Sequence, residues 1–147
     1  MITLRFQPAH PTIPIDADAS TNEAARMSGA IYARLEGNGA RDLEYEAFAS
    51  FQLDWSLTRS DGARFIPMFM PPPMPPPGGI PRRTLHLEPG QDTLVTTLYG
   101  GISGFYEESA GPDAWGPLPA GRYEGVIRGV NVGTGPQATE PFEIVVE

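Results

Sequence analysis

Apolar and polar residues alternate with a period of two through most of the chain, and turn-forming residues cut the alternation into short runs. Side chains on an extended strand point to opposite faces in turn, so this pattern predicts half-buried strands rather than helices. Ile2, Leu4 and Phe6 open the series, and Ile31, Ala33 and Leu35 follow before a turn at Gly37-Asn38-Gly39. Leu43 to Phe48 alternates again. The clearest run puts Phe51, Leu53, Trp55 and Leu57 on one face and Gln52, Asp54, Ser56 and Thr58 on the other. An Asp61-Gly62 turn then leads into Ala63 to Phe69, which predicts a hairpin over residues 51–69. Thr84–Leu87 and Thr93–Tyr99 flank Glu88-Pro89-Gly90, where proline and glycine suit the central positions of a type II turn. Tyr123–Val132 and Phe142–Val146 supply two final strands. The expectation is an all-β, antiparallel sandwich of about eight strands in one domain spanning residues 1–147, with its core over about 29–146.

Helix has one opening. Ser20 with Glu23 three positions on fits a capping box, and Glu23 to Met27 before Gly29 fits a turn or two of helix. Between the middle strands runs a longer anomaly, Phe65 to Arg83, with prolines at 67, 71, 72, 73, 75, 76, 77 and 81. It is expected to be a proline-rich insertion loop. Its large apolar side chains are costly to leave in water, and consecutive prolines stiffen the backbone toward polyproline II. Three readings stand side by side: a strip that covers the sandwich's own sheet edge, a partner-binding loop, or a flexible linker. As a binding loop it would present Phe65, Met68, Phe69, Met70 and Met74, with Arg82 and Arg83 at its end. Trp115, among glycines and prolines, is either a plug for one end of the sandwich or an exposed anchor; Trp55 is expected in the core.

The motif order Leu35-Glu-Gly-Asn-Gly39, Asp61-Gly62, Leu87-Glu-Pro-Gly90 and Pro119-Ala-Gly-Arg-Tyr123 resembles two known groups. One is the immunoglobulin-like sandwich beside the catalytic domain of deuterolysin-type metalloproteases. The other is the intracellular proteinase inhibitor domains of bacteria. The resemblance implies an immunoglobulin-like sandwich over roughly residues 29–146 and, from the second group, inhibition of a protease by loop occlusion. The chain has no His-Glu-x-x-His, so the protease chemistry of the first group does not carry over.

Composition narrows the chemistry. There are 18 acidic and 10 basic residues among 147, for a net charge of -8, and every basic residue is arginine. Nucleic-acid binding, which needs a cationic footprint, is not expected. The absence of lysine removes Schiff-base and P-loop mechanisms, and zero cysteines remove thiolate nucleophiles and thiolate metal sites. His10 and His86 are too far apart to read as paired metal ligands. Asp16, Asp18, Ser20 and Asn22 alternate like the start of a calcium loop, but Thr21 and Met27 stand where glycine and glutamate belong, leaving a solvated acidic loop. Gly101-Ile-Ser103-Gly-Phe105 departs from a nucleophile elbow and reads as a loop, and Glu107-Glu108 as a solvated bend. Glycine and proline make 34 of the 147 residues, which points to a loop-rich globular chain. No membrane span and no secretory leader are legible, so a cytoplasmic protein is expected. The chain therefore reads as a non-catalytic protein-binding module without cofactor or metal. Its partner is another protein, a protease on the resemblance above; the alternative is a structural module that associates with its own copies through edge strands and the proline-rich loop.

Overall fold

The computed structural model describes residues 1–46, 54–69, 78, 82–98, 102–128 and 137–147. Twelve strands are defined among them: β1 (Ile2–Pro8), β2 (Thr12–Ile13), β3 (Gly29–Leu35), β4 (Arg41–Glu46), β5 (Asp54–Arg59), β6 (Arg64–Phe69), β7 (Arg82–Leu87), β8 (Asp92–Leu98), β9 (Ile102–Glu107), β10 (Gly121–Arg128), β11 (Gln137–Glu140) and β12 (Phe142–Val146). They form a four-stranded sheet in the order β11-β1-β3-β8, a six-stranded sheet in the order β2-β12-β10-β5-β6-β9, and a two-stranded sheet of β4 and β7. The all-β sandwich architecture is thus as expected from the alternation, with more strands than the eight foreseen and with two parallel pairings, β1–β11 and β2–β12, where an antiparallel sandwich was expected.

The two larger sheets exchange strands at prolines. The chain leaves the first sheet after Pro8 and joins the second as β2, which runs parallel to β12. Near the other end β11 runs parallel to β1, and across Pro141 the chain crosses to the second sheet as β12. Proline lacks an amide donor and fixes its φ, so it ends one ladder where the next begins. Pro67 acts similarly inside β6: the β5–β6 pairing covers Leu57↔Phe65 and Thr58↔Arg64, while Pro67 is paired on the other side with Phe105 of β9.

Burial follows the period of two. Ile2, Leu4 and Phe6 of β1, Ile31, Ala33 and Leu35 of β3, and Phe142, Ile144 and Val146 of β12 all face the core. Each large aliphatic or aromatic side chain buried this way contributes about 1.5–3 kcal/mol. Phe6 and Phe142 meet edge to face with centroids 4.9 Å apart, joining the first sheet to the second. Both rings occupy space that opposing glycines leave open. A Cβ on Gly29 would collide with the Phe6 ring, and one on Gly125 would collide with Phe142 and with Leu57 at 2.7 Å. Within the second sheet Tyr123 meets Phe65 edge to face at 5.5 Å, and its hydroxyl donates to the carbonyl of Pro119 at 2.7 Å.

The outer face of the first sheet is a ladder of charges. Arg5 pairs with Asp92 at 3.0 Å and lies over the Tyr32 ring, and Arg34 reaches both Glu36 and Glu140 at 2.8 Å. At its β8 edge the register with β3 shifts between Ile31 and Tyr32, leaving Val95 as the extra residue of a bulge. The carbonyl of Val95 instead accepts a hydrogen bond from Tyr45 of β4 at 2.8 Å, which ties the two-stranded sheet to that edge.

Several local expectations need correction. The helix is a single 3₁₀ turn, Glu23–Arg26, capped by the side chain of Asn22 on the amide of Ala24, so the Ser20–Glu23 capping box does not form. Ser20 is held by Asp18 instead, and the turn ends at Met27 with φ of 58° rather than at Gly29. Gly101-Ile-Ser103-Gly-Phe105, read as a loop, instead contributes Ile102 to Phe105 to strand β9, which pairs antiparallel with β6. The span 65–83 is not a single insertion: β6 continues to Phe69 and β7 begins at Arg82, which places the connection at residues 70–81. The hairpin at Asp61-Gly62 forms as expected, with Gly62 at φ of 93° and Arg59 bidentate on Asp61.

The glycine beneath the aromatic pair gives a direct test. Gly125→Ala is expected to cost about 1–3 kcal/mol in urea denaturation with no change in m-value, because the added methyl must displace Phe142 or Leu57.

Candidate functional site

Two segments remote in sequence enclose a cleft at one end of the second sheet. The first is the arm that follows β2. It is fastened by Ile15 N–H to the Glu147 carbonyl at 3.2 Å and by Glu147 N–H to the Ile13 carbonyl at 3.1 Å. Ala19 and Ala25 bury their methyls beneath it, and the Arg26 guanidinium donates to the carbonyls of Ala19 and Ser20 at 2.7 and 3.2 Å. Asp16 sits at φ of 60°, a left-handed conformation that aspartate tolerates better than most residues. Asp18 accepts from both the amide and the hydroxyl of Ser20, and these hydrogen bonds hold its pKa below the usual carboxylate value.

The second segment follows β9. Gly111 at φ of 87° turns the chain into a 3₁₀ turn, Pro112–Ala114, and Gly116 then folds back to exchange two 2.8 Å backbone hydrogen bonds with Phe105. Trp115 is thereby fixed at its backbone. Its indole lies where a Cβ on Gly104 would stand, with Cε3 2.6 Å from that position, so only glycine fits beneath it. The residue is still 53% exposed. Trp115 is therefore neither purely a plug nor purely free: one side covers Gly104 and the rest borders the cleft. The enclosed volume is about 340 Å³, bounded by Trp115, Phe105 and Leu118 on one side and by Ile13, Asp16 and Asp18 on the other.

The eight residues expected to contact a partner separate on this structure. Phe65 is 4% exposed and belongs to the core, packed against Tyr123 with the Arg59 guanidinium over its ring, so its place on a binding loop is corrected. The cause is the strand itself: Phe65 and Pro67 point inward and Ile66 and Met68 outward. Met68 is half-buried and pairs in register with Gly104, which puts it on the same sheet face as Trp115. Phe69 ends β6, and its side chain lies outside the described residues, as do Met70, Met74 and the side chain of Trp55. Arg82 and Arg83 are exposed on β7, opposite Glu46 and Tyr45 of β4.

A separate polar cluster lies on the two-stranded sheet. His86 Nδ1 is 2.5 Å from an Asp42 oxygen and Nε2 is 2.8 Å from a Glu88 oxygen, all three side chains being exposed. The hydrogen bond to Glu88, then that to Asp42, raises the His86 pKa above its usual 6.5. Among the described residues no group of three histidine and carboxylate side chains converges in a geometry that would hold a metal ion.

Comparison with family models, with curated proteins and with solved structures finds no match to this chain. Sequence reading singled out Trp115 but missed Gly104 and the pairing of the Asp16–Asp18 arm with it. The acidic alternation was visible; its pairing with Trp115, nearly a hundred positions away, was not.

Two measurements follow. Gly104→Ala should move the indole N–H resonance of Trp115 and narrow the cleft while leaving the far-ultraviolet dichroism intact. In a proton NMR titration His86 should titrate above 6.5, and both Asp42→Asn and Glu88→Gln should lower its midpoint. The sign is that of a raised pKa: the cluster's contribution to stability is complete below pH 6.5 and is lost as pH rises through the folded-state value.

Proposed function

We propose that this chain is a non-catalytic protein-binding module whose contact surface centres on Trp115 and its cleft. One observation carries the reading: a tryptophan held by a backbone bridge and a glycine seat, yet 53% exposed beside a preformed cavity. Leaving so large an aromatic in water has a cost, and rigid aromatic anchors that dock without losing further freedom dominate the energetics of interfaces. Met68, on the same face, extends the apolar area.

The narrower immunoglobulin-like reading is supported by the hydroxyl of Tyr123 bonding four residues back to Pro119, the corner that closes Greek-key sandwiches of that kind. A protease as the partner, blocked by a stiff loop, remains the proposed target class and rests on the proline run between β6 and β7. Self-association by strand addition has less support at β8, where the bulge at Val95 and the Tyr45 hydroxyl interrupt the edge.

The test is capture from native lysate on immobilised protein, run in parallel with Trp115→Ser and with a variant carrying a short Gly-Ser loop in place of residues 70–81. The expected result is a partner whose retention falls at least about tenfold with Trp115→Ser, as for a central aromatic anchor. Equal retention by that variant, with its fold intact by circular dichroism, refutes the Trp115 surface. Loss on loop replacement alone returns the contact to the proline segment.

A further inference from the structure

The lining of the Trp115 cleft is unbalanced in hydrogen-bonding character. Among the described residues that line it, the Trp115 indole N–H is the only side-chain donor, whereas Asp16 and Asp18 are acidic and the others are apolar, glycine or proline. Among the described residues Asp16 has no hydrogen-bond or ion-pair partner for its carboxylate, and Asp18 spends only Oδ1, on Ser20. Arg26, which braces the same arm, gives its guanidinium to backbone carbonyls and forms no ion pair with either carboxylate. Three of the lining backbone donors are also consumed: Ala17 N–H bonds to Pro14, and Phe105 and Gly116 bond to each other. A neutral sugar, which needs donors as well as acceptors, finds few side-chain donors here, and an anion is repelled by a chain of net charge -8.

We infer that this cleft receives an arginine side chain from the partner protein, stacked on Trp115 and paired with the Asp16 and Asp18 carboxylates. The inference rests on the protein-binding reading and names what that surface recognises. A guanidinium carries five donors and no acceptor, matches a carboxylate in a bidentate fork, and stacks on an indole face; an ammonium offers neither the fork nor the stacking plane. The 340 Å³ cavity is far larger than a lone ion needs and accommodates one long side chain with part of its backbone. The negative field of the chain steers such a segment inward before contact.

The probe is N-acetyl-arginine amide titrated into the 15N-labelled full chain, read at the Trp115 indole N–H, which Trp115→Phe assigns. N-acetyl-citrulline amide, nearly isosteric but uncharged, is the control. A saturable shift is expected for the arginine probe, at least about fivefold weaker for citrulline, and weakened about tenfold by the double variant Asp16→Asn, Asp18→Asn. Asparagine tolerates the positive φ at position 16 and keeps an oxygen acceptor for Ser20 at position 18, so that variant retains the fold. Equal response to citrulline, indifference to the double variant, or no saturation overturns the inference. A captured partner that needs Trp115 but binds the double variant unchanged overturns the arginine inference alone and leaves the protein-binding reading standing. Self-association abolished by Arg82→Ser with Arg83→Ser would place the arginine on a second copy and overturn its assignment to another protein.

Discussion

The edge-to-face contact between Phe6 and Phe142 fixes how the two larger sheets approach, and much else follows from it. Each ring comes from a strand whose neighbour carries a glycine at the point of closest passage, Gly29 beside Phe6 and Gly125 beside Phe142. The aromatic pair therefore sinks into both sheets instead of wedging them apart, which lets the aliphatic side chains of β1, β3 and β12 interdigitate around it. Because β1 and β12 are also the strands bordered by the sheet-switching segments, this one contact sets the positions of β2 and β11 as well.

The cleft inherits its geometry from that arrangement. β2 is only two residues long and holds its place by pairing with β12, so the acidic arm beyond it stands wherever β12 stands. On the opposite side the Phe105–Gly116 bridge secures Trp115 to the outermost strand of the same sheet. The two walls belong to distant stretches of sequence and to opposite edges of one six-stranded sheet order, yet neither depends on a long flexible loop for its position. A surface built this way loses little conformational freedom when something docks on it, and that saving is what turns modest contact area into affinity.

How much of this was legible beforehand depended on whether the cause was local. Alternation at Ile31 to Leu35 and at Phe142 to Val146 was written in consecutive residues, and so was the Asp61-Gly62 turn, which demands a positive φ. The type II turn at Glu88-Pro89-Gly90 was equally local, with Gly90 at φ of 76° and Gln91 N–H bonding back to Glu88. By contrast, β2 was too short to show a period, and β11 is defined by its parallel partner β1 rather than by its own residues. Phe65 was misplaced because prolines on its C-terminal side suggested a loop, while the pattern Phe65 in, Ile66 out, Pro67 in is that of a strand. Gly104 looked like a loosening residue; its role as a seat for Trp115 depends on a contact made eleven positions later through a chain reversal.

The Tyr45 hydroxyl on the Val95 carbonyl bears on how the molecule behaves when crowded. A growing cross-β stack propagates by copying an unbroken row of amides and carbonyls from one chain to the next. On β8 that row is out of step at the bulge, and one of its acceptors is already taken by the neighbouring sheet. A strand arriving from another molecule meets a template with a missing rung, and a phenol oxygen 50 positions away in sequence thus acts as a guard against fibre growth along this edge.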